Sequence, residues 1–208
     1  MNRERDQLDI DGVICASSIT VTAKVNQLPG ISNKYSPSDI DSWDFFSKDV
    51  LRRTGNEELA KRAESYWFDG PTLFAAPREP FALLGILVMS ALHYEHHPAT
   101  SRKESHRVGT LDWLDSRYPK LIRHENVHFR NGSCSGNELK AEIHDKIKPV
   151  LIFEDNGDTI KYFLYHGIDP HKIVMIDRPW NRSFKEYDKL RVENWLHAVP
   201  RILTATVK

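Results

Sequence analysis

Hydrophobic positions along the chain alternate between short β-branched runs and longer stretches with helical spacing. Residues 150–153 and 172–176 are short apolar runs of the kind that buried strands show, and residues 8–14 form a similar run that contains acidic residues. Helical patterns lie between such runs, for example at residues 138–146 and 159–167. Strands that alternate with helices are typical of a parallel sheet with helices on both faces. The pattern therefore predicts an α/β, Rossmann-like fold.

The segment that follows the first predicted strand has a different pattern. A serine, a proline and an acidic residue within residues 36–39 indicate a helix start, and residues 40–66 continue with helical spacing. No strand pattern occurs before the apolar helix that begins near Pro80. We therefore predict a small helical cap over residues 17–79, inserted after the first strand. The α/β core would then comprise residues 1–16 and 80–208.

Composition narrows the function classes. Lysine plus arginine and aspartate plus glutamate both number 29, so the chain lacks the basic excess that a nucleic acid polymer would favour. Cys15 and Cys134 have no metal-ligand spacing and are expected to be reduced thiols. The apolar run at residues 81–92 is too short to cross a bilayer. The charged N-terminus is unlike a signal peptide, so we expect a cytoplasmic protein with no membrane partner.

Polar residues of complementary kinds lie at the ends of three predicted strands. The first strand carries two carboxylates and then Gly12, which allows the backbone to leave the sheet sharply. Hydroxyl groups follow the second predicted strand at residues 94–99, a lysine lies in the helix at residues 138–146, and an acid pair follows the strand at residues 150–153. Phosphoryl transfer needs such a set of carboxylates, hydroxyls and an ammonium group. The residues are Asp9, Asp11, Thr100, Ser101, Lys140, Glu154 and Asp155.

Alternatives exist for several of these positions. Either Thr100 or Ser101 could supply the hydroxyl. Lys146 and Lys148 compete with Lys140, which we favour because a residue near a helix start can face the carboxyl edge of the sheet. The acid pair after residues 150–153 could also cap the next helix. His93, His96 and His97 suggest zinc, but adjacent strand residues point to opposite faces and no further ligands complete a tetrahedral site.

The order and spacing of these residues resemble the four motifs of the haloacid dehalogenase (HAD) superfamily of phosphohydrolases. Residues 9–13 (Asp-Ile-Asp-Gly-Val) resemble the first motif and residues 100–102 (Thr-Ser-Arg) the second. Lys140 matches the third motif and residues 153–156 (Phe-Glu-Asp-Asn) the fourth. The resemblance implies a HAD-type sheet in which the helical segment is a C1-type cap.

Within that superfamily, the chain is most similar to the 5'(3')-deoxyribonucleotidase-like group. The similar phrases are Ser-Trp-Asp-Phe-Phe at residues 42–46, Thr-Leu-Asp-Trp-Leu at residues 110–114 and Asp-Arg-Pro-Trp-Asn-Arg at residues 177–182. This similarity implies a 5'-nucleotidase or deoxyribonucleotidase whose partner is a small phosphomonoester, such as a nucleoside monophosphate. A homodimer is left open. Trp67 and Phe74 are the aromatic residues that we expect to contact the substrate or its base.

The resemblance also implies a role for each site residue. Asp9 would be the nucleophile that forms an aspartyl-phosphate, and Asp11 the general acid and base. Mg²⁺ would be held by the carboxylates of Asp9 and Asp155 and by the backbone carbonyl of Asp11. Phosphate oxygens would contact Thr100, Ser101 and Lys140, and Glu154 would lie beside these ligands.

Two rival functions remain at this level. One is a HAD phosphatase for a sugar phosphate or another small metabolite. The other is a catalytically silent member that binds a nucleotide or a protein. Asp9 and Asp11 are both present, which weighs against the silent alternative.

Overall fold

The computed structural model describes residues 3–206 of the chain. Its centre is a six-stranded sheet with the order β3-β2-β1-β4-β5-β6, and every adjacent pair of strands is parallel. The sheet confirms the predicted α/β architecture. The strands are β1 (Arg5–Leu8), β2 (Glu95–Lys103), β3 (His128–Arg130), β4 (Leu151–Glu154), β5 (Ile173–Ile176) and β6 (Arg191–Val192).

Helices pack against both faces of this sheet. Phe153 of β4 belongs to the core that includes Trp195, whereas the adjacent Ile152 packs with Ile160 and Phe163. Because neighbouring strand side chains point to opposite faces, these two clusters lie on opposite sides of the sheet. The helices are α1 (Ser17–Val25), α2 (Phe45–Thr54), α3 (Glu57–Ser65), α4 (Gly70–Ala75), α5 (Ala82–Ala91), α6 (Arg107–Arg117), α7 (Gly136–Ile147), α8 (Gly157–Tyr165) and α9 (Trp195–Thr206).

The first strand lies earlier in the chain than the sequence predicts. Residues 8–14 were expected to form the strand, but β1 ends at Leu8. The chain then turns, because the backbone N–H groups of Ile14 and Cys15 both donate to the carbonyl of Ile10, at 3.0 and 2.8 Å. The apolar residues that resembled a strand are instead buried around this turn. Asp9 is consequently the first residue beyond the strand.

Polar residues in β1 and β2 are compatible with burial because each has a partner on a neighbouring element. The Asp6 Oδ2 atom lies 2.7 Å from His96 Nδ1, and the opposite ring nitrogen of His96 lies 2.8 Å from the Ser90 hydroxyl. His97 instead stacks on His128, with ring centroids 5.5 Å apart. The two adjacent histidines therefore have separate partners. Both lie in β2 (Glu95–Lys103), which overlaps the strand predicted at residues 94–99.

The described chain between β1 and β2 forms helices and connecting turns. Its apolar residues make a cluster that includes Phe46 and Trp67 and that also takes in Trp180 from the loop after β5. The two connections to the sheet run side by side, because Ala16 N donates to Pro77 O at 2.9 Å and Glu79 N donates to Ile14 O at 3.0 Å. These contacts fit a cap over residues 17–79, and its boundaries stay a prediction.

Two sequence-level expectations concern the whole chain. Across residues 3–206, none of the helices has the length and apolar character needed to span a membrane. Cys15 and Cys134 are both free thiols, and Cys15 is buried next to the turn after β1.

Candidate active site

Asp9 and Lys140 form the centre of a buried ionic cluster at the carboxyl edge of the sheet. The backbone N–H of Asp9 donates to Phe153 O at 2.9 Å, which fixes Asp9 between β1 and β4. Lys140 Nζ lies 2.9 Å from Asp9 Oδ2 and 2.7 Å from Glu154 Oε2. All three side chains are buried. The lysine thus links the two carboxylates that follow β1 and end β4.

Local sequence and one long-range contact explain why Lys140 faces this edge. Helix α7 begins with a capping box, in which the Ser135 hydroxyl accepts from Glu138 N at 3.2 Å and Glu138 Oε2 accepts from Ser135 N at 2.6 Å. The amide of Gln7 in β1 donates to the Lys140 carbonyl at 3.0 Å. The rival lysines at positions 146 and 148 are exposed on the outer part of the same helix and its end. The structure therefore brings Lys140 to the carboxylates, as predicted.

Asp155 lies next to this cluster with one carboxylate oxygen already bonded. Trp180 Nε1 donates to Asp155 Oδ2 at 2.8 Å, and the amide of Asn181 donates to the Asp155 carbonyl at 2.7 Å. Asp155 Oδ1 is buried and has no hydrogen-bond partner within the described chain. Carboxylate oxygens of Asp9, Glu154 and Asp155 lie within 4.8 Å of one another. A buried, unpartnered oxygen beside two more carboxylates is suited to a cation.

Glu154 fits this cation less well than its neighbours do. Its Oε2 atom accepts from Lys140, and its Oε1 atom accepts from the backbone N–H groups of Asp155 and Asn156, both at 3.1 Å. Glu154 thus accepts three hydrogen bonds, whereas Asp9 accepts two, on Oδ1 from Ile10 N at 2.8 Å and on Oδ2 from Lys140, which leaves Asp9 more free lone pairs. Asp9 and Asp155 remain the carboxylates that could hold a metal ion, and Glu154 holds the lysine in place.

Burial is the main cause of the raised pKa values of Asp9 and Asp155. Burial raises the pKa of Asp9 to about 7, even though Lys140 lowers it. Burial, followed by the charge of Asp9, raises the pKa of Asp155 well above its usual range. Burial alone would lower the pKa of Lys140, but the charges of Asp9 and Glu154 raise it, so the ammonium form persists. A hard divalent cation with oxygen ligands would compensate the excess negative charge, so these residues fit Mg²⁺.

Gly12 allows the turn after β1 to lie close to Asp155 and Trp180. Its φ of +73° is in the left-handed region, and a Cβ at this position would lie 2.0 Å from Asp155 Oδ2 and 2.9 Å from Trp180 Cζ2. The backbone of Gly12 is held from outside, because Arg178 Nε donates to its carbonyl at 2.7 Å and Arg178 also pairs with the buried Glu79 at 2.8 Å. Only glycine fits this position.

Asp11 is paired with Arg102, which the sequence did not identify as a site residue. Arg102 Nε donates to Asp11 Oδ2 at 2.8 Å, and its Nη2 donates to Asp11 Oδ1. Arg102 is buried. The available signal was its place within the second motif, directly after Thr100 and Ser101, where a basic residue can reach the acids of the first motif.

The two candidate hydroxyls differ in position. Thr100 is buried, and its Oγ1 accepts from the backbone N–H of Arg102 at 3.2 Å. Ser101 is exposed and lines a cavity at the carboxyl edge of the sheet. It lies against the start of α7, where a Cβ on Gly136 would come within 2.1 Å of the Ser101 hydroxyl. The geometry favours Ser101 as the hydroxyl that a ligand would meet.

The cavity joins the ionic cluster to aromatic residues of the helical segment and has a volume of about 280 Å³. Trp67 lines it, as predicted, and packs edge to face with Trp43 at 5.0 Å between ring centroids. Phe74 does not line it: this residue is half exposed on α4, so that prediction needs correction. The lining residues are Asp9, Asp11, Trp43, Asp44, Glu64, Trp67, Phe68, Ser101, Arg102, Lys140 and Asn156.

Comparisons with known proteins find similarity in structure only. No family model matches the chain, and no curated protein sequence matches it. Among solved structures, a provisionally named phosphatase from Clostridium difficile matches with 14% identity and a TM-score of 0.67, over 98% of this chain and 99% of that chain. A HAD family hydrolase from Deinococcus radiodurans R1 with bound phosphate and sodium matches with 11% identity and a TM-score of 0.65, over 98% and 96%.

A third solved structure, a provisionally named β-phosphoglucomutase from Bacteroides vulgatus, matches with 14% identity and a TM-score of 0.63, over 100% of this chain and 91% of that chain. Such identities establish the fold and leave activity and substrate open. This chain has the HAD-like hydrolase fold.

In this HAD-like fold, the carboxyl edge of the sheet brings together the residues of all four predicted motifs. Asp9, Lys140, Glu154 and Asp155 form one buried cluster, and Asp11 lies beside it in the pair with Arg102. Parallel α/β sheets place ligands at this edge. The HAD-like fold therefore gives a site with the composition that phosphoryl transfer requires, and the role of each residue is a matter for proposal.

Proposed function

We propose that this protein is a Mg²⁺-dependent phosphomonoester hydrolase that works through an aspartyl-phosphate on Asp9. One observation carries the proposal: Asp9 is buried against Lys140 and within metal-sharing distance of Asp155, and it opens on a cavity large enough for a small phosphomonoester. A carboxylate in such a place has both a cation to hold its charge and access to a ligand.

Asp9 attacks phosphorus, the bond to the leaving oxygen breaks, and Asp11 gives its proton to that oxygen. In the second half of the reaction, Asp11 takes a proton from water, the water oxygen attacks phosphorus, and Asp9 is released with inorganic phosphate. Asp9 and Asp155, with the backbone carbonyl of Asp11, would hold Mg²⁺. When bound, this ion supplies positive charge that lets an anionic carboxylate approach an anionic phosphate. Lys140 contributes a second positive charge at the same place.

Ser101 is the hydroxyl that we assign to a phosphate oxygen, since it faces the cavity. Thr100 supports the turn through its bond with the backbone of Arg102. Lys140 lies within reach of both Asp9 and the cavity, and it would contact a phosphate oxygen transferred to Asp9.

A nucleoside monophosphate is the substrate class that we favour. Trp43, Trp67 and Phe68 line the cavity, and aromatic side chains stack well on a planar base. A sugar phosphate is the second candidate, and the similarity to the provisionally named β-phosphoglucomutase favours it. Carboxylates of Asp44 and Glu64 in the same cavity could accept hydrogen bonds from either a base or a sugar.

The test is a panel of monophosphates with Mg²⁺ and with a chelator. We expect Mg²⁺-dependent release of phosphate, a preference for nucleoside monophosphates over sugar phosphates, and no turnover by Asp9→Asn. Asp112→Asn is the matched control because Asp112 is an exposed aspartate on α6. Equal or faster turnover of sugar phosphates would establish the second candidate. Full activity of Asp9→Asn would refute the assignment of Asp9 as the nucleophile. If the wild type hydrolysed none of the substrates, the proposed hydrolase activity would be refuted and a binding function favoured.

A further inference from the structure

Arg102 is a buried cation in the cavity that the reaction described above does not use. It lies near the end of β2, directly after Ser101, and only 4% of its surface is exposed. Its backbone N–H is held by the Thr100 hydroxyl at 3.2 Å. Its side chain lines the same cavity as Ser101 and Lys140. Both its backbone and its burial therefore fix the guanidinium beside the proposed phosphate position.

The contact with Asp11 uses only part of the guanidinium. Nε donates to Asp11 Oδ2 at 2.8 Å, and Nη2 donates to Asp11 Oδ1, so the pair is bidentate. A guanidinium has five N–H donors in a planar fork. Among the described residues, none accepts a hydrogen bond from Nη1, so its donors remain for a ligand. Arg102 can therefore hold Asp11 and bind an anion at the same time, without a change in its own position.

The charges around the cavity explain why a phosphate would need this residue. Asp9, Asp11, Glu154 and Asp155 bring four carboxyl groups, and Lys140 already contacts two of them. A phosphate dianion that enters the cavity is repelled by these carboxylates. Arg102 is a cation in the cavity lining whose Nη1 donors can bind the phosphate. Arginine matches phosphate oxygens in geometry as well as in charge.

We propose that Arg102 binds the substrate phosphate through Nη1 while Nε and Nη2 orient the Asp11 carboxyl group toward the leaving oxygen. This proposal rests on the proposed function, and it adds a phosphate-binding and positioning residue to that site. The same side chain would thereby position both the substrate phosphate and Asp11, the acid that protonates the leaving group. A residue 91 positions away from Asp11 in the sequence sets the geometry of the acid.

The experiment measures kcat and KM for the best substrate of the monophosphate panel, and the inhibition constant of inorganic phosphate. Five proteins are compared with the wild type: Arg102→Ala, Arg102→Lys, Asp11→Asn, the Arg102→Ala/Asp11→Asn double variant and Arg52→Ala. Arg52 is the matched control, since it also pairs with an aspartate, Asp49, but lies exposed on α2. Thermal unfolding of each protein, with and without inorganic phosphate, shows that the variant is folded and whether phosphate still stabilises it.

We expect Arg102→Ala to weaken inhibition by inorganic phosphate about ten- to a hundred-fold, the range for lost charge-assisted hydrogen bonds. The same weakening should appear when the Arg102→Ala/Asp11→Asn double variant is compared with Asp11→Asn. We expect the kcat losses of Arg102→Ala and Asp11→Asn to be far from additive, because Arg102 acts on kcat through Asp11. Guanidinium ion added to Arg102→Ala should restore part of kcat. Arg102→Lys should recover phosphate affinity more than kcat, because an ammonium group cannot hold both oxygens of Asp11.

Two results would overturn the proposal. One is an unchanged inhibition constant for phosphate in a folded Arg102→Ala. The other is strictly additive kcat losses of the two single variants. Failure of the proposed function looks different, because the wild type itself would then release no phosphate from any substrate in the panel. Arg52→Ala should match the wild type in every measurement.

Discussion

Lys140→Met offers the sharpest test of the ionic cluster, because the change removes one charge and keeps the length of the side chain. Lys140 contacts Asp9 at 2.9 Å and Glu154 at 2.7 Å, and none of the three side chains is more than 8% exposed. Methionine would fill the same space but leave both carboxylates without their cation. Removing one partner of a buried ion pair costs about 3–5 kcal/mol, since the remaining charge stays buried and uncompensated.

The assay is urea unfolding of the wild type and of Lys140→Met in the presence of a chelator, with circular dichroism as the signal. We expect the free energy of unfolding to fall by about 3–5 kcal/mol. The pKa of Asp9 is raised by burial to about 7, above its value of 3.8 in a free chain. The folded protein therefore holds the Asp9 proton more tightly, and stability is lost as the pH rises through about 7. Without Lys140 this pKa rises further, so the deficit should be larger near about pH 8 than near about pH 6.

Lys148→Met is the matched control, because Lys148 directly follows α7 and pairs with Asp145 at 3.1 Å while both side chains are about 70% exposed. Surface pairs of this kind contribute about 0–1 kcal/mol. If Lys140→Met lost no more stability than Lys148→Met, or if its deficit did not depend on pH, the buried cluster would not be the source of the predicted energy.

Two further predictions concern Asp155. Gly12→Ala should abolish Mg²⁺ binding in a calorimetric titration, because the new Cβ would lie 2.0 Å from Asp155 Oδ2. Gly132 has a similar positive φ with open space around it, so the control variant Gly132→Ala should bind Mg²⁺ normally. Equal Mg²⁺ affinities of the two variants would contradict the predicted steric clash with Asp155. Trp180→Phe keeps an aromatic ring but loses the indole N–H that donates to Asp155 Oδ2 at 2.8 Å. We expect Mg²⁺ affinity to fall about ten- to a hundred-fold, and an unchanged affinity would show that this hydrogen bond does not orient the carboxylate.

Trp180 also connects the proposed metal ligand to the helical segment. Its ring belongs to the apolar cluster of that segment and lies 5.6 Å from the ring of Trp43, which lines the cavity. The same side chain thus contacts Asp155 on one side and the aromatic lining on the other. A substitution at Trp43 should therefore be examined for effects on metal binding as well as on substrate choice.

Local sequence determined most of the secondary structure and the chemical identity of the site. Helix α7 begins directly after Ser135 because its capping box needs only that serine and Glu138. Helix α2 ends at Thr54, directly before Gly55, whose φ is +63°. The apolar runs at residues 150–153 and 172–176 each match a strand to within one residue, β4 (Leu151–Glu154) and β5 (Ile173–Ile176). Carboxylates, hydroxyls and a lysine occur in an order that resembles the HAD motifs, so the sequence alone indicated which residues would form the candidate site.

Tertiary contacts decided the remaining points, because each depends on residues far apart in the sequence. β1 carries Asp6 in its interior, and only the contact with His96 makes that burial favourable. Hydropathy therefore placed the start of the strand three residues too late, at residue 8 instead of Arg5. The pair of Arg102 with Asp11 spans 91 positions, and the place of Arg102 within the second motif does not by itself show which acid it contacts.

The choice between similar neighbours was also tertiary. Thr100 and Ser101 are adjacent and chemically alike, but only Ser101 lines the cavity, because successive strand residues point to opposite sides of the sheet. Phe74 and Trp67 are both cap aromatics, and the fold of α3 and the turn after it brings Trp67 to the cavity while Phe74 faces away from it. The sequence determined which groups are present, and packing between distant segments decided which of them meet.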